Sequence, residues 1–338
     1  MPGKSNSREV TISKALSTLL RHSAEKENIK ISKEGYVNVA DVLAWRRLRG
    51  LKVSLKELLD IVANSDKQRY SLLYAPPSDQ GTTSTKPLEP PGNGSLAAQT
   101  AASAERQRSA TAHALSVRDD NPAHFLIRAT QGHSIKSIDT TLFLERLTLH
   151  DGISTDPAAA KPESTGGTGL PGTVVHGTYH GAWPLILAYG GLRPMSRTHV
   201  HFATGPPLEE VMPRGRGEAP APVPNNPPVI SGMRSDAEIL IYIDLRKALR
   251  AGCPFYRSEN GVILSEGFVP PGKDGNDEES KVVPLEFFDV VVERKAGLGV
   301  LWENGRVVRE LPPHLASKKS PKAHHGRKRK GKGKHAGT

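Results

Sequence analysis

Through residue 74 the apolar positions follow the period of helices. Ile12, Leu16, Leu19 and Leu20 fall at i, i+4, i+7 and i+8, one face of a helix. That helix ends in "LLRHS", where Arg21 and His22 stand side by side. Basic residues at a helix end either complement its partial negative charge or face an anion. "EGYVNVADVLAW" predicts a short strand running into a second helix, Ser54 and Glu57 have capping-box spacing ahead of "LLDIVA", and "RYSLL" reads as a strand. Residues 8–74 are therefore expected to form a compact, mostly helical, winged-helix-like unit.

From Ala75 to Ala123 the pattern dissolves. Large apolar residues are too few to offset the entropy of ordering the chain, so 75–123 is expected to be a disordered insert. Two smaller inserts of similar character lie near 153–172 and 205–229, the latter rich in proline and glycine. Between them the period shortens. "TVVHGTY", "HVHFA" and "EILIYIDL" predict strands, "AWPLILAYGG" a helix stopped by two glycines, and "RKALRAG" a helix ended by Gly252. "FYRSENGVIL" places Asn-Gly between apolar runs, a hairpin signal, and "LEFFDVVVER" is expected to close the fold. The predicted class is α+β with antiparallel strands, the second unit spanning 124–294. There is no βαβ alternation and no G-x-G-x-x-G phosphate-cradling loop.

Charge changes this picture less than its total suggests. The 338-residue chain carries a net +11, but the tail 317–338 holds nine Lys or Arg and no acid. Without the tail 37 basic residues face 35 acidic ones, so phosphate recognition inside the fold must come from a few placed arginines. The tail, expected to be disordered, reads as a nuclear address, a nonspecific RNA grip or a solvated end. The lone Cys253 excludes a disulfide framework or a cysteine-built zinc site, the N-terminus lacks the apolar core of a signal peptide, and no apolar run is long enough to span a bilayer. An intracellular protein is expected, in nucleus or cytoplasm.

Four stretches carry more polar chemistry than their surroundings require: "LLRHS", "FLIRATQGHS", "VVHGTY" and "RPMSRTHVHF"; "SGMRSDAE" is a fifth. Singly each has a plain explanation: a helix cap, an ion pair, a buried histidine, or a His-x-His pair that could take a metal but has no third ligand nearby. Together, Arg21, Arg128 and Arg197 each stand next to, or within a few residues of, a histidine or hydroxyl residue. Arginine's planar, always-charged fork suits phosphate, so arginines from separate segments could converge on one phosphate without metal.

These stretches, in this order, with "GYVNVADVL", "SDKQRYSL", "ISGMRSDAEILIYIDLRKAL" and "FYRSENGVILSEGFVP", resemble the NAD-dependent tRNA 2'-phosphotransferase family. The resemblance covers most of 10–74 and 124–294 outside the inserts. Thr130 stands where the family more often has Asn or Ser, and the 75–123 insert is unusually long. The resemblance implies a winged-helix-like RNA lobe followed by a lobe of the ADP-ribosyltransferase fold, with an Arg-His-Arg-Arg group on Arg21, His22, Arg128 and Arg197 in the cleft between. It implies NAD as consumed co-substrate, no metal, a tRNA carrying an internal 2'-phosphate as partner, no membrane and a monomeric enzyme.

The implied reaction has two steps. The RNA 2'-phosphate displaces nicotinamide from the NAD ribose; the neighbouring ribose 2''-hydroxyl then attacks that phosphate, giving 2'-OH RNA and ADP-ribose 1'',2''-cyclic phosphate. Step one needs positioning, and step two needs fixed cations on the crowded phosphate oxygens. Arg21, Arg128 and Arg197 are assigned to the phosphate, with His22 a further phosphate donor or a proton donor to the leaving oxygen. His176, Gly177 and Thr178 are assigned to the NAD ribose and nicotinamide. Gln131, His133 and Ser134 are assigned to the ADP-ribose, and Ser258 and Asn260 are further contacts, although Asn260 also suits the hairpin turn. Two alternatives stay open: an ADP-ribosyltransferase that stops after step one, for which Glu259 is a candidate, and a non-catalytic RNA-binding adaptor.

Overall fold

The computed structural model describes residues 5–77, 96–149, 169–212, 232–234, 236–269 and 281–318. The two smaller expected inserts and the basic tail fall largely outside these ranges, whereas of the 75–123 insert only 78–95 does. The fold is α+β, and every strand pair among the described residues is antiparallel.

The chain begins with helix α1 (Ser5–Thr18), which runs into a π-helical turn over Leu19–Ser23. Ile12, Leu16, Leu19 and Leu20 are fully buried, as their spacing predicts. Strand β1 (Val37–Asn38) leads into α2 (Val39–Ala44), where the Asn38 side chain accepts the Ala40 N–H. A short α3 (Arg46–Gly50) follows. Ser54 caps α4 (Leu55–Ala63) by accepting the Glu57 N–H, but Glu57 turns its carboxylate to Arg8 instead of completing the box.

Two features depart from expectation. Strand β2 (Tyr70–Tyr74) is followed, inside the segment read as a disordered insert, by α5 (Leu96–Ser116). The helix is rich in alanine, the best helix former, and packs through small residues: Ala114 is fully buried, and Thr111 Oγ1 pairs with both the N–H and the C=O of Leu72. Strand β3 (Phe125–Ala129), expected to open the second unit, instead lies between β1 and β2 in a sheet of order β1-β3-β2. Phe125, Ile127 and Ala129 are fully buried in the same core as α1 and α4, so the strand is central to the first unit.

The second unit holds two larger sheets. Strands β4 (Glu145–Arg146), β7 (Val200–Phe202), β9 (Tyr256–Arg257) and β10 (Ile263–Ser265) form one, in order β4-β9-β10-β7. Strands β5 (Val175–Thr178), β8 (Ile239–Ile243), β12 (Phe288–Glu293), β13 (Gly299–Glu303) and β14 (Arg306–Val307) form the other, in order β14-β13-β12-β8-β5. A bridge between Val175 and Ala203 joins the two sheets. Helix α6 (Trp183–Tyr189) ends at Gly190, and Gly191 passes so close to the next pair, β6 (Gly191–Leu192) with β11 (Val283–Pro284), that an added Cβ would lie 2.2 Å from the Val283 carbonyl oxygen. A one-turn α7 (Leu208–Val211) forms at the start of the third expected insert, and α8 (Leu245–Arg250) stops before Gly252 as predicted.

The fold does not close at residue 294. The β13–β14 hairpin turns on Asn304-Gly305, both at positive φ, and Trp302 meets Trp183 edge to face; α9 (Pro313–Ala316) follows. Tyr256, Val262 and Leu264 of the β9–β10 hairpin belong to the first unit's core, so this hairpin joins the two units.

Candidate active site

The site is built where the π-helical turn meets the loop after β3. Widening the last turn lets Leu19 and Leu20 stay in the core while Arg21 and His22 turn to the joint between units. The Ser134 N–H donates to the Arg21 carbonyl at 2.9 Å, and His22 Nδ1 lies 2.9 Å from Ser134 Oγ. Gly132, at φ +86°, threads the loop between Arg21 and His201: a Cβ there would sit 3.5 Å from Arg21 Nη1 and from His201 Nε2.

Histidines form the floor. His201 Nδ1 donates to the His199 carbonyl at 3.0 Å and turns Nε2 to the Gln131 amide at 2.8 Å, while His176 Nδ1 donates to the His201 carbonyl at 2.9 Å. Burial, then Arg197, holds the His201 pKa well below its ordinary value. Burial, then Arg21 and Arg128, brings His133 down to about 3, and burial brings His199 down to about 4. His133, His199 and His201 are thereby neutral at pH 7 and add no cation. Among the described residues no group of three or more His, Cys, Asp or Glu is arranged to hold a metal.

The positive charge is guanidinium. Burial lowers the Arg21 pKa to about 10, with Tyr70 opposing and Arg197 and Arg69 adding to the shift; Arg197 is lowered by burial and then by Arg234. Arg21 Nε and Nη2 are buried with no hydrogen-bond partner, as is His133 Nε2. Unpaired buried donors are costly, and with a like-charged neighbour this pair has the chemistry to receive an anion.

Arg128 stands apart from this arrangement. Its side chain is 1% exposed, its guanidinium lying 5.0 Å from the Tyr36 ring centroid and 4.4 Å from that of Phe143. Nη2 donates to Gln107 Oε1 at 2.6 Å and lies 3.5 Å from Glu259 Oε2; Nε and Nη1 have no partner. His133, depressed by both Arg21 and Arg128, links it electrostatically to the rest. Arg128 thus comes from the first unit's sheet, not from the start of the second unit.

Of the residues expected to contact NAD, His176, Gln131, His133 and Ser134 gather at the site. Gly177 and Thr178 are placed otherwise. A Cβ on Gly177 would lie 2.5 Å from Met233 Cγ and 2.8 Å from Ala237 Cβ, so the close approach there is protein packing. Thr178 is buried in β5, its carbonyl accepting the Glu238 N–H. Ser258 and Asn260 fix the β9–β10 turn: Ser258 Oγ donates to the Val262 carbonyl and accepts the Val262 N–H, and Asn260 Nδ2 donates to the Lys67 carbonyl. Sequence reasoning missed Gln107, Arg69 and the role of Glu259. The first lies in the segment read as unstructured, and the contact of Glu259 with Ser71 spans 188 positions.

Comparison with known proteins bears on this arrangement. The family model described as RNA 2'-phosphotransferase, Tpt1 / KptA family matches residues 7–267. The chain is similar to tRNA 2'-phosphotransferase 1 of Danio rerio, 31% identical over 261 residues, covering 77% of this chain and 80% of that protein. It is similar also to tRNA 2'-phosphotransferase 1 of Homo sapiens, 31% identical over 260 residues (77% and 70%), and to tRNA 2'-phosphotransferase of Saccharomyces cerevisiae, 29% identical over 259 residues (76% and 79%). With the match spanning the π-helical turn, the loop after β3 and the β9–β10 hairpin alike, the chain belongs to the RNA 2'-phosphotransferase, Tpt1 / KptA family.

Proposed function

We propose that this protein removes an internal 2'-phosphate from tRNA, with NAD as co-substrate. The observation that carries the reading is the pair of unpartnered buried donors on Arg21 beside a second arginine, Arg197. With a pKa of about 10, Arg21 stays charged at pH 7. A doubly charged phosphate ester satisfies donors that nothing else among the described residues satisfies.

In this reading Arg21 and Arg197 grip the phosphate and stabilise the charge that accumulates on its oxygens as it is transferred. Arg128 supplies a third cation through its unpartnered Nε and Nη1. His22, oriented by Ser134, completes the grip or delivers a proton to the leaving RNA oxygen. NAD, when bound, supplies an electrophilic ribose carbon from which nicotinamide departs as a neutral molecule. Buried neutral imidazoles and the unpartnered His133 Nε2 fit such a dinucleotide. His176, Gln131, His133 and Ser134 would hold it, with Gly177 and Thr178 supporting them from β5. No residue in the set calls for a metal.

The first unit, with α1 to α4 around β1-β3-β2, is read as winged-helix-like and RNA-binding, and the paired larger sheets as an ADP-ribosyltransferase-type lobe. The enzyme is read as a monomer acting on tRNA inside the cell, in nucleus or cytoplasm. Among the described residues no helix is long and apolar enough to cross a membrane. A transferase that stops after the first step is disfavoured because Glu259 turns its carboxylate to Ser71 and Arg128.

The test is incubation with NAD and a short RNA labelled at an internal 2'-phosphate. The expected products are 2'-OH RNA, nicotinamide and ADP-ribose 1'',2''-cyclic phosphate. Label retained on the RNA in the presence of NAD, or lost equally without it, overturns the proposal.

A further inference from the structure

Helix α5 lies along the free edge of β2, where Thr111 meets both backbone groups of Leu72 that face away from β3. Tyr74 and His113 meet edge to face further along the same edge. Gln107 is one helical turn before Thr111, on the same face. From there its Oε1 reaches Arg128 Nη2 at 2.6 Å.

A second acceptor arrives from the other unit. Glu259, in the β9–β10 turn, takes the Ser71 hydroxyl hydrogen and sits 3.5 Å from the same Nη2, its side chain 7% exposed. The guanidinium also lies against the Tyr36 and Phe143 rings. The Nη2 end of Arg128 is therefore held by acceptors from two units, while Nε and Nη1 are left without hydrogen-bond partners.

We propose that Gln107 and Glu259 are positioning residues for Arg128: they anchor its Nη2 end so that Nε and Nη1 are held ready for the RNA 2'-phosphate, which makes α5 a working part of the site. The inference rests on the phosphate reading of Arg128 given above. A buried guanidinium without these acceptors would keep its charge but lose its orientation, and misplacement of a charge-stabilising group costs rate more than binding of a remote co-substrate.

Three variants of the full chain test it, with melting midpoints recorded for each. Gln107→Leu keeps the volume and suits a helix but removes the acceptor. It is expected to lower kcat for 2'-phosphate removal by about tenfold or more, with KM for NAD unchanged. Gln107→Glu restores an acceptor of the same length and is expected to recover most of that loss. Glu259→Leu is expected to lower kcat in the same sense. A second readout is affinity for a 2'-phosphorylated RNA oligonucleotide over the same RNA without the phosphate. Gln107→Leu should reduce this preference and Gln107→Glu should return it. Parental kcat and preference in both leucine variants overturn the inference, as does equal loss in Gln107→Leu and Gln107→Glu. A parental chain that binds both RNAs alike overturns the phosphate reading and this inference together; a parental preference that survives Gln107→Leu and Glu259→Leu overturns this inference alone.

Discussion

Two buried polar clusters in this molecule look alike in composition and differ in how completely they are satisfied. Around His180 (1% exposed), Nε2 meets Glu293 Oε1 at 2.9 Å and Nδ1 lies 3.0 Å from Glu238 Oε2, which also takes the His180 backbone N–H at 2.8 Å. The Nδ1 contact does not have the geometry of a hydrogen bond. Glu293 accepts further N–H groups from Lys295, Ala296 and Leu298. Burial alone would raise the Glu293 pKa, but these donors and His180 bring it below its ordinary value. Around Arg21, by contrast, cations meet cations, histidines are held neutral, and donors are left open. The first cluster closes on itself except at His180 Nδ1, and ties β12 to the end of β5. The second leaves donors that an anion would satisfy. Buried polarity by itself therefore does not mark a candidate site; several unpartnered donors on neighbouring like-charged groups do so better.

The comparison breaks most clearly at Glu293. Glu293→Ala strands His180 and three backbone donors, so it should cost about 3–5 kcal/mol of stability, read by denaturant unfolding. A loss below about 1 kcal/mol would mean that the closed cluster is not structural. On the open side, Arg197→Ala should lower the rate of 2'-phosphate loss roughly hundredfold or more, about 3 kcal/mol of transition-state stabilisation, with a smaller effect on NAD binding. A parental rate would remove Arg197 from the grip.

Acid sharpens the contrast. His133 and His199 have folded pKa values of about 3 and about 4, below the unfolded value of 6.5. Below 6.5 the unfolded chain binds protons that the folded one refuses, so stability is full above that pH and falls toward the folded values. At pH 5 each histidine should cost about 2 kcal/mol relative to neutrality, measured as a drop in unfolding free energy that His133→Phe reduces. The smallest effect is the most pointed. Arg21→Met should abolish phosphate removal yet leave the melting midpoint unchanged or raise stability by about 1 kcal/mol, because it removes an uncompensated buried cation. A large loss of stability would place Arg21 with the closed cluster.

What could be read from the chain followed from how local the cause was. The burial of Ile12, Leu16, Leu19 and Leu20 follows from spacing alone, and the Asn260-Gly261 turn from its dipeptide. Arg21, His22, Gln131, Ser134 and Arg197 stand in short motifs, and the structure brings those motifs near one another. Helix α5 was missed because it packs through Ala114 and Thr111, and its sequence lacks the large apolar stripe that announces a helix. The β13–β14 hairpin carries the same Asn-Gly signal as the β9–β10 turn and was passed over. Membership of β3 in the first sheet depends on pairing with strands on both sides, which no local pattern encodes. The assignment of Ser258 and Asn260 to the cofactor came from resemblance, and the hydrogen bonds around the turn show the local work they do.

The position of β3 between β1 and β2 also dictates the order of events during synthesis. A ribosome that has released residues up to Tyr74 has delivered the two outer strands of a three-stranded sheet and none of its middle. Those strands must wait, unpaired, until Phe125–Ala129 emerges, so a fragment ending at residue 77 should be recovered as insoluble or chaperone-bound material, while one extended through the loop after β3 has the missing strand to fold around.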